Sequence, residues 1–283
     1  MAEGDRWPLP EASGTPAPAE IVPDSTTTFE FSSFVPAEKT FPAWTAWDVA
    51  VVPGATVLAI FVCSLIALGI AHSLRAFHGL SFYELAQEPL IVVGSQIASY
   101  PLVVWFMATL VRRRSNEPFL TAIRWNWPSG KAIWFYSSGI VLAFAVQGLA
   151  RLLPIPKSLP MDKFFNDATS AYLMAFFGIL IAPVLEELFF RGMLFPTLRR
   201  GLGTVAAVVL TAAAFASIHG AQLGYAWGPI LSIFVVGLAL TMVRERTDSV
   251  AASVLTHSGY NFTLFALLWI GSNHFHQLDK LNS

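Results

Sequence analysis

Long apolar runs separated by short polar connections dominate the chain from residue 49 onward. Seven of these runs are long enough to cross a hydrocarbon layer of about 30 Å as helices, although the fifth is short. The pattern therefore predicts an all-α, polytopic transmembrane bundle of about seven to eight spans. The predicted segments are Val49–Ala71, Pro89–Val111, Ala132–Leu153, Ala171–Leu198, Thr204–His219, Trp227–Val243 and Val250–Ile270.

The composition supports the membrane interpretation. The 283 residues are 55% hydrophobic and only 12% charged, whereas soluble domains carry about 25% charged residues. The formal net charge of −1 lacks the basic character that nucleic-acid binding requires. We therefore expect the lipid bilayer, and not nucleic acid, as a partner. The single cysteine, Cys63, excludes an internal disulfide.

The first residues of the chain differ from the rest. Residues 1–42 contain seven prolines and seven acidic residues but only two basic ones. No apolar run with a basic leader occurs there, so we expect no signal peptide. The composition predicts a disordered acidic, proline-rich tail over residues 1–44, with Trp44 and Trp47 as interfacial anchors of the first span. Amino-terminal transmembrane helices are expected over residues 45–160, a second transmembrane domain over 161–271, and a short tail over 272–283.

The Lys and Arg residues of the predicted loops divide unequally between the two sides. Eleven lie in the amino-terminal tail and in the loops after spans two, four and six, and five lie on the opposite side. The positive-inside rule places the eleven, and with them the amino terminus, in the cytoplasm. The expected location is therefore a bacterial-type inner (plasma) membrane, with the carboxyl terminus outside if there are seven spans.

Three of the last four predicted spans carry polar residues that an apolar layer disfavours. Each ionised side chain at the bilayer centre costs roughly 2.5 to 3.5 kcal/mol. Such residues are kept when they pair with one another, face a watery cavity or take part in chemistry. The candidates are Glu186, Glu187, Arg191, His219, His257 and Asn261.

The first motif is Glu186-Glu187-x-x-x-Arg191. Glu187 and Arg191 are four residues apart, so they face each other on a helix and can pair. Glu186 lies about 100° round the helix and is free to act on a substrate or on water. A structural ion-pair cluster explains Glu187 and Arg191 but not the adjacent second carboxylate, because neighbouring acids repel. Pro183 predicts a kink that frees backbone carbonyls and helps to open a cavity.

The second and third motifs are Phe215-x-x-x-His219 and His257-x-x-x-Asn261. His219 lies near the end of a span, where it is either a hydrogen-bonded core or interfacial residue, or a general base or ligand. His257 and Asn261 share one helix face. They form either a pair of interhelical hydrogen bonds or a donor pair that stabilises an oxyanion.

The side chains leave the cofactor open. No H-E-x-x-H signature occurs, but Glu186, His219 and His257 are candidate ligands for a divalent metal such as zinc. They are equally compatible with a metal-free site in which a buried glutamate activates water. A serine nucleophile is disfavoured because no G-x-S-x-G occurs. A cysteine nucleophile is disfavoured because Cys63 lies in the first span, away from the polar cluster in sequence.

In this order and spacing, the motifs E-E-x-x-x-R, F-x-x-x-H and H-x-x-x-N resemble those of the CAAX protease and bacteriocin-processing (CPBP or ABI) family. Its eukaryotic relatives are the type II CAAX prenyl endopeptidases. The resemblance covers roughly Ala171–Gly271 and implies that residues 161–271 are a catalytic transmembrane domain. It implies water activation by Glu186 assisted by His219, shaping of the site by Glu187 and Arg191, and binding of the scissile carbonyl oxygen by His257 and Asn261. The family is often labelled metalloprotease, although its glutamate can work without zinc.

The resulting hypothesis is an intramembrane endopeptidase, either a glutamate protease or a metalloprotease. We expect it to cut near the carboxyl terminus of membrane-embedded or lipid-anchored proteins or peptides. Its polar chamber would be formed by spans four to seven and open to the cytoplasmic side. The alternative is a non-catalytic immunity or scaffold protein of the same fold. A third hypothesis, a transporter or proton relay, needs a polar path for which Ser95, Gln96 and Gln147 offer little in the first three spans.

Overall fold

The computed structural model describes residues 41–74, 77–165 and 167–277. These residues are mostly helical and contain no β-strand, which confirms the all-α class. The disordered tail predicted for residues 1–44 lies, as far as residue 40, outside the described residues. The α-helices are α1 (Ala46–Ser73), α2 (Phe82–Leu85), α3 (Pro89–Arg114), α4 (Phe119–Ala122), α5 (Ala132–Ala150), α6 (Ala168–Phe176), α7 (Ala182–Glu187), α8 (Phe195–Ile218), α9 (Trp227–Thr247) and α10 (Val250–Gly271).

Five helical stretches are long and apolar enough to cross a membrane. They are Ala46–Ser73, Pro89–Arg114, Ala132–Ala150, Ala168–Ile218 and Trp227–Thr247. The fourth stretch has 51 residues and contains two of the predicted spans, which separate where Gly203 adopts a φ of 78°. The last predicted span coincides with α10, whose mean hydropathy is lowered by His257 and Asn261. Each predicted segment thus coincides with a helix or part of one, and the span count of seven to eight stays a prediction.

The apolar residues are divided between an internal core and an outward face. The core packs α1 and α3 against the middle of the 168–218 stretch through Val52, Met107, Leu188 and Met193. Large apolar side chains on the outside of α1 remain exposed, among them Val57, Leu58, Phe61, Leu65, Ile66 and Ile70. An exposed apolar surface of this size is typical of contact with lipid. The protein is therefore an integral membrane protein.

Trp44 does not anchor the first span at the membrane surface, so that prediction is wrong. Its side chain is 0% exposed, and its indole N–H donates to the Thr197 hydroxyl at 3.0 Å and to the Met193 carbonyl at 3.3 Å. Trp47, by contrast, is exposed. Sequence position alone did not distinguish the two, because burial of Trp44 depends on a partner about 150 residues away.

Two glycines let α5 and α10 cross at very short distance. A Cβ atom on Gly139 would lie 2.0 Å from the Thr256 carbonyl oxygen, and one on Gly259 would lie 2.1 Å from the Tyr136 carbonyl oxygen. Small residues at such crossings permit the close backbone approach on which helix association in lipid depends. This crossing holds α10, the helix that carries His257 and Asn261, against α5.

The bundle has two ends that differ in charge. The end that we call the arginine end comprises residues 112–131, 199–203 and 244–250, and the Val250 amide there donates to the Arg124 carbonyl at 2.9 Å. The opposite end, called the loop end, comprises residues 151–165 and 219–227. There the Met161 amide donates to the Gln222 carbonyl at 3.1 Å. The two ends are the opposite termini of α8, α9 and α10.

Candidate active site

Two π-helical segments flank the adjacent glutamates. Residues Phe177–Ile181 precede α7 as a π-helix, and Leu188–Leu194 follow it as a second one. A π segment inserts an extra residue into a helical turn, shifts the side chains that follow and occurs often at functional sites. The first π segment ends two residues before Pro183, and the kink expected at this proline stays a prediction.

Glu187 is fully buried between a guanidinium group and an imidazole. Its Oε1 atom lies 2.9 Å from Nη1 of Arg191 and 2.9 Å from Nδ1 of His257. The pairing of Glu187 with Arg191 agrees with the i, i+4 spacing. The bond to His257, which joins two helices, was not foreseen. Since a carboxylate can only accept here, Nδ1 of His257 carries a proton.

All three guanidinium nitrogens of Arg191 donate hydrogen bonds inside the bundle. Nη2 donates to the Gly237 carbonyl at 3.0 Å and Nε donates to the Thr241 hydroxyl at 3.3 Å. Its guanidinium carbon also lies 4.6 Å from the centre of the Phe215 ring, within cation–π range. Arg191 therefore neutralises Glu187 and fixes it against α9.

Glu186 has a different environment from its neighbour. Its side chain is 19% exposed, whereas that of Glu187 is 0% exposed. Its Oε2 atom lies 3.8 Å from Nε2 of His257, which is longer than a hydrogen bond. Among the described residues no donor makes a hydrogen bond to Glu186. Glu186, which the helix spacing predicted to be unpaired with Arg191, is thus also the more solvent-accessible of the two glutamates.

His219 is oriented by the turn that precedes it. Its Nδ1 atom lies 2.9 Å from the Phe215 carbonyl oxygen, and a carbonyl oxygen can only accept. Nδ1 therefore carries the proton, and the neutral imidazole keeps its lone pair on Nε2. The i, i+4 spacing thus brings a backbone acceptor to Nδ1, while the Phe215 ring itself lies 5.0 Å from the His219 ring.

Asn261 makes an interhelical hydrogen bond that Pro183 makes available. Its side-chain amide donates to the Gly178 carbonyl at 2.7 Å. In the π segment, the Ala182 amide bonds the Phe177 carbonyl, so the next donor in this register would be residue 183. Proline has no N–H, and the Gly178 carbonyl is left for Asn261. The second N–H of the Asn261 amide remains for another acceptor.

The three candidate metal ligands do not form a metal site in this arrangement. Among the described residues, no three His, Cys, Asp or Glu side chains are grouped closely enough to hold a metal ion. A zinc centre needs at least three protein ligands around one point, so Glu186, His219 and His257 as placed do not fit one.

A cavity of about 540 Å³ joins these side chains. Glu186, His219, His257 and Asn261 all line it, as the hypothesis of one site requires. Glu187 and Arg191 lie behind its wall. The remaining wall is largely apolar and includes Met174, Phe177, Val236, Leu264, Phe265 and Leu268. The cavity therefore combines a small polar centre with a surface suited to an apolar chain.

The cavity involves more of the chain than was expected. The chamber was predicted from spans four to seven, yet Gln96 and Tyr100 of α3 also line it. So do Asp162 and Gln222, which belong to the loop end. A signal for Gln96 and Tyr100 was present in the sequence, since polar side chains are uncommon in a span, but nothing local indicated which partner they face.

The cavity reaches the loop end, whereas the chamber was expected to open on the side of the Lys- and Arg-rich loops. The cavity extends from Glu186 to residues of the loop end, not toward the Lys- and Arg-rich loops that were assigned to the cytoplasm. On the arginine side of the cluster, Glu187, Arg191 and Arg244 are buried and fill the space. The membrane side to which the cavity opens stays a prediction, because the positions of the motifs along their helices do not reveal it.

A bundle that encloses carboxylates and imidazoles around an internal cavity defines an integral membrane protein with an intramembrane polar site. Residues 168–263 match the family model described as type II CAAX prenyl endopeptidase Rce1-like. This part of the chain is therefore similar to that family, which confirms the resemblance inferred from the three motifs. All six candidate residues lie within the match, and the family is one of proteases. No curated protein and no solved structure matches the chain.

Proposed function

We propose that the chain is an intramembrane endopeptidase in which Glu186 activates water. The observation that carries this proposal is the contrast between two adjacent carboxylates. Glu187 is neutralised by Arg191 and His257, whereas Glu186 faces the cavity without a hydrogen-bond donor among the described residues. A purely structural ion-pair cluster requires the carboxylate of Glu187, but it does not require that of Glu186.

The proposed reaction uses Glu186 as a general base, assisted by His219, which lines the same cavity. A water molecule held between the Glu186 carboxylate and Nε2 of His219 attacks the peptide carbonyl carbon as its proton passes to Glu186. The C–N bond then breaks, and the same proton passes to the leaving amine. The remaining proton of the water passes from the new carboxylic acid to the amine, so the products are a carboxylate and an ammonium group, and Glu186 returns to its ionised form.

We assign to His257 and Asn261 the stabilisation of the oxyanion formed in this step. Because Nδ1 of His257 donates to Glu187, a donation to the substrate must come from Nε2, which requires the doubly protonated ring. Asn261 contributes the amide N–H that does not bond Gly178. Donors fixed in this way before the reaction stabilise developing charge at no reorganisation cost.

The proposed substrates are membrane-embedded or lipid-anchored proteins or peptides, cut near the carboxyl terminus. The apolar cavity wall at Phe177, Leu264 and Phe265 suits an apolar anchor, while the polar centre can receive one peptide bond. A water-filled cavity within the membrane also provides the nucleophile that lipid excludes.

The test is the matched pair Glu186→Gln and Glu117→Gln in the full-length protein. Gln keeps the shape of the carboxylate but cannot accept the proton, so Glu186→Gln should lower the rate of peptide cleavage by at least about 10²-fold. Glu117 is exposed outside the cavity, and its substitution should leave the rate unchanged. Both variants should insert and unfold as the parent does.

Full cleavage by Glu186→Gln would contradict the role of this carboxylate. If the parent protein cleaves no peptide at all while it remains folded, the proposal of an enzyme fails, and a non-catalytic immunity or scaffold protein of the same fold becomes the better hypothesis.

A further inference from the structure

The arginine side of the catalytic cluster is closed by a second buried guanidinium group. Arg244 of α9 is 1% exposed. Its Nε atom donates to the Arg191 carbonyl at 3.2 Å, and Nη1 donates to Asp248 at 2.7 Å. Asn126 holds the same turn by donating to the Asp248 carbonyl at 2.7 Å. These packed residues fill the space between the cluster and the arginine end.

The opposite side of the cluster is the accessible one. The cavity passes Leu268 and reaches Asp162 and Gln222 at the loop end, and Gln222 is exposed. The rim is ordered, because the Met161 amide bonds the Gln222 carbonyl and Pro160 packs on Gly224. We take this rim as the route by which a substrate reaches Glu186.

Charge identifies which face of the membrane this rim occupies. Among the described residues, nine Lys and Arg lie at the arginine end and only three at the loop end. Those at the arginine end are Arg112, Arg113, Arg114, Arg124, Lys131, Arg199, Arg200, Arg244 and Arg246, and those at the loop end are Arg151, Lys157 and Lys163. Basic loops remain on the cytoplasmic side during insertion, so the rim lies on the other side.

We propose that the enzyme works from the extracytoplasmic face, and that its substrates are membrane-anchored polypeptides whose scissile bond is presented on that face. The inference rests on the proposed function for the chemistry. Its geometry is independent of that function, because the closed arginine end and the open rim are properties of the fold.

The first test measures the sidedness with a matched pair of cysteines. In a Cys63→Ala background, Ser158→Cys places a thiol at the loop end and Ser129→Cys places one at the arginine end, both at exposed positions. Neither substitution changes the charge on which the orientation depends. In intact cells that produce the full-length chain, a membrane-impermeant maleimide should label Ser158→Cys, and should label Ser129→Cys only after lysis. Any other pattern overturns the proposal.

The second test asks whether substrates use the rim. Sealed proteoliposomes of Cys63→Ala/Gln222→Cys receive amphipathic peptides, each with a fluorophore and a quencher, on the outside only. A bulky impermeant maleimide added outside should remove most of the cleavage, because it blocks the molecules whose rim faces outward. The same treatment of Cys63→Ala/Ser129→Cys should leave cleavage unchanged.

The two tests separate the possible failures. Unchanged cleavage by fully labelled Gln222→Cys would show that substrates do not pass the rim and would overturn the proposal. Absence of cleavage by Cys63→Ala/Ser129→Cys, which leaves the cavity wall unchanged, would count against the proposed function, whereas the orientation would still be decided by Ser158→Cys and Ser129→Cys.

Discussion

At the scale of single residues, the two adjacent carboxylates have different roles: Glu187 forms a structural ion pair, and Glu186 is the proposed general base. Glu187 is fully buried and bonded to Arg191 and His257, whereas Glu186 lines the cavity. Two unpaired carboxylates side by side would repel each other. With Glu187 neutralised, a single negative charge remains where the proposed water would be activated.

This account predicts that Arg191 contributes mainly to stability. Arg191→Met leaves Glu187 buried without its cation and should cost about 3–5 kcal/mol of unfolding free energy. The additional change Glu187→Gln should recover part of this loss, since it removes the unpaired charge. Thermal or denaturant unfolding in detergent measures both effects.

The control for this prediction is Arg199→Met. Arg199 forms a salt bridge of 2.8 Å with Glu245, but its side chain is 48% exposed. Exposed pairs contribute about 0–1 kcal/mol. If Arg191→Met and Arg199→Met lower the free energy of unfolding equally, burial does not make the Glu187–Arg191 pair more important for stability than an exposed pair.

At the scale of elements, the π segment before Pro183 supplies the Gly178 carbonyl as a hydrogen-bond acceptor for Asn261 of α10. Pro183→Ala restores an N–H that can bond the Gly178 carbonyl and compete with Asn261. Without this bond the Asn261 amide should be less well positioned to bind the oxyanion. Cleavage should then slow by about tenfold, which corresponds to the loss of one hydrogen bond of about 1.4 kcal/mol. Cleavage kinetics together with unfolding measure whether activity falls without a loss of stability.

A matched proline and a double variant make this prediction specific. Pro101 lies inside α3, and Pro101→Ala should not change the rate by the same route. Pro183→Ala and Asn261→Ala act on one bond, so their combined effect should be smaller than the sum of the two. Fully additive effects would show that the proline and the asparagine act independently.

At the scale of the whole molecule, local periodicity and long-range contact differ in how far the sequence predicts them. Runs of about 20 apolar residues determine helices, and the i, i+4 spacing was enough for the pair Glu187–Arg191. The bond from His257 to Glu187, the burial of Trp44 and the contribution of Tyr100 to the cavity all join residues far apart in the chain. These contacts depend on how helices pack, which no single segment encodes.

The crossing of α5 and α10 couples the packing of the whole bundle to the site. Gly259 lies two residues after His257, and its missing side chain lets the Tyr136 carbonyl approach. Gly259→Ala should force the helices apart, cost about 1–3 kcal/mol of stability and lower cleavage by displacing His257. Unfolding and cleavage should be measured on the same preparation. Gly69→Ala in α1, where a Cβ meets nothing within 4 Å, should be neutral or stabilise by up to about 1 kcal/mol. If Gly259→Ala lost stability but kept full cleavage, the position of His257 would not depend on this crossing.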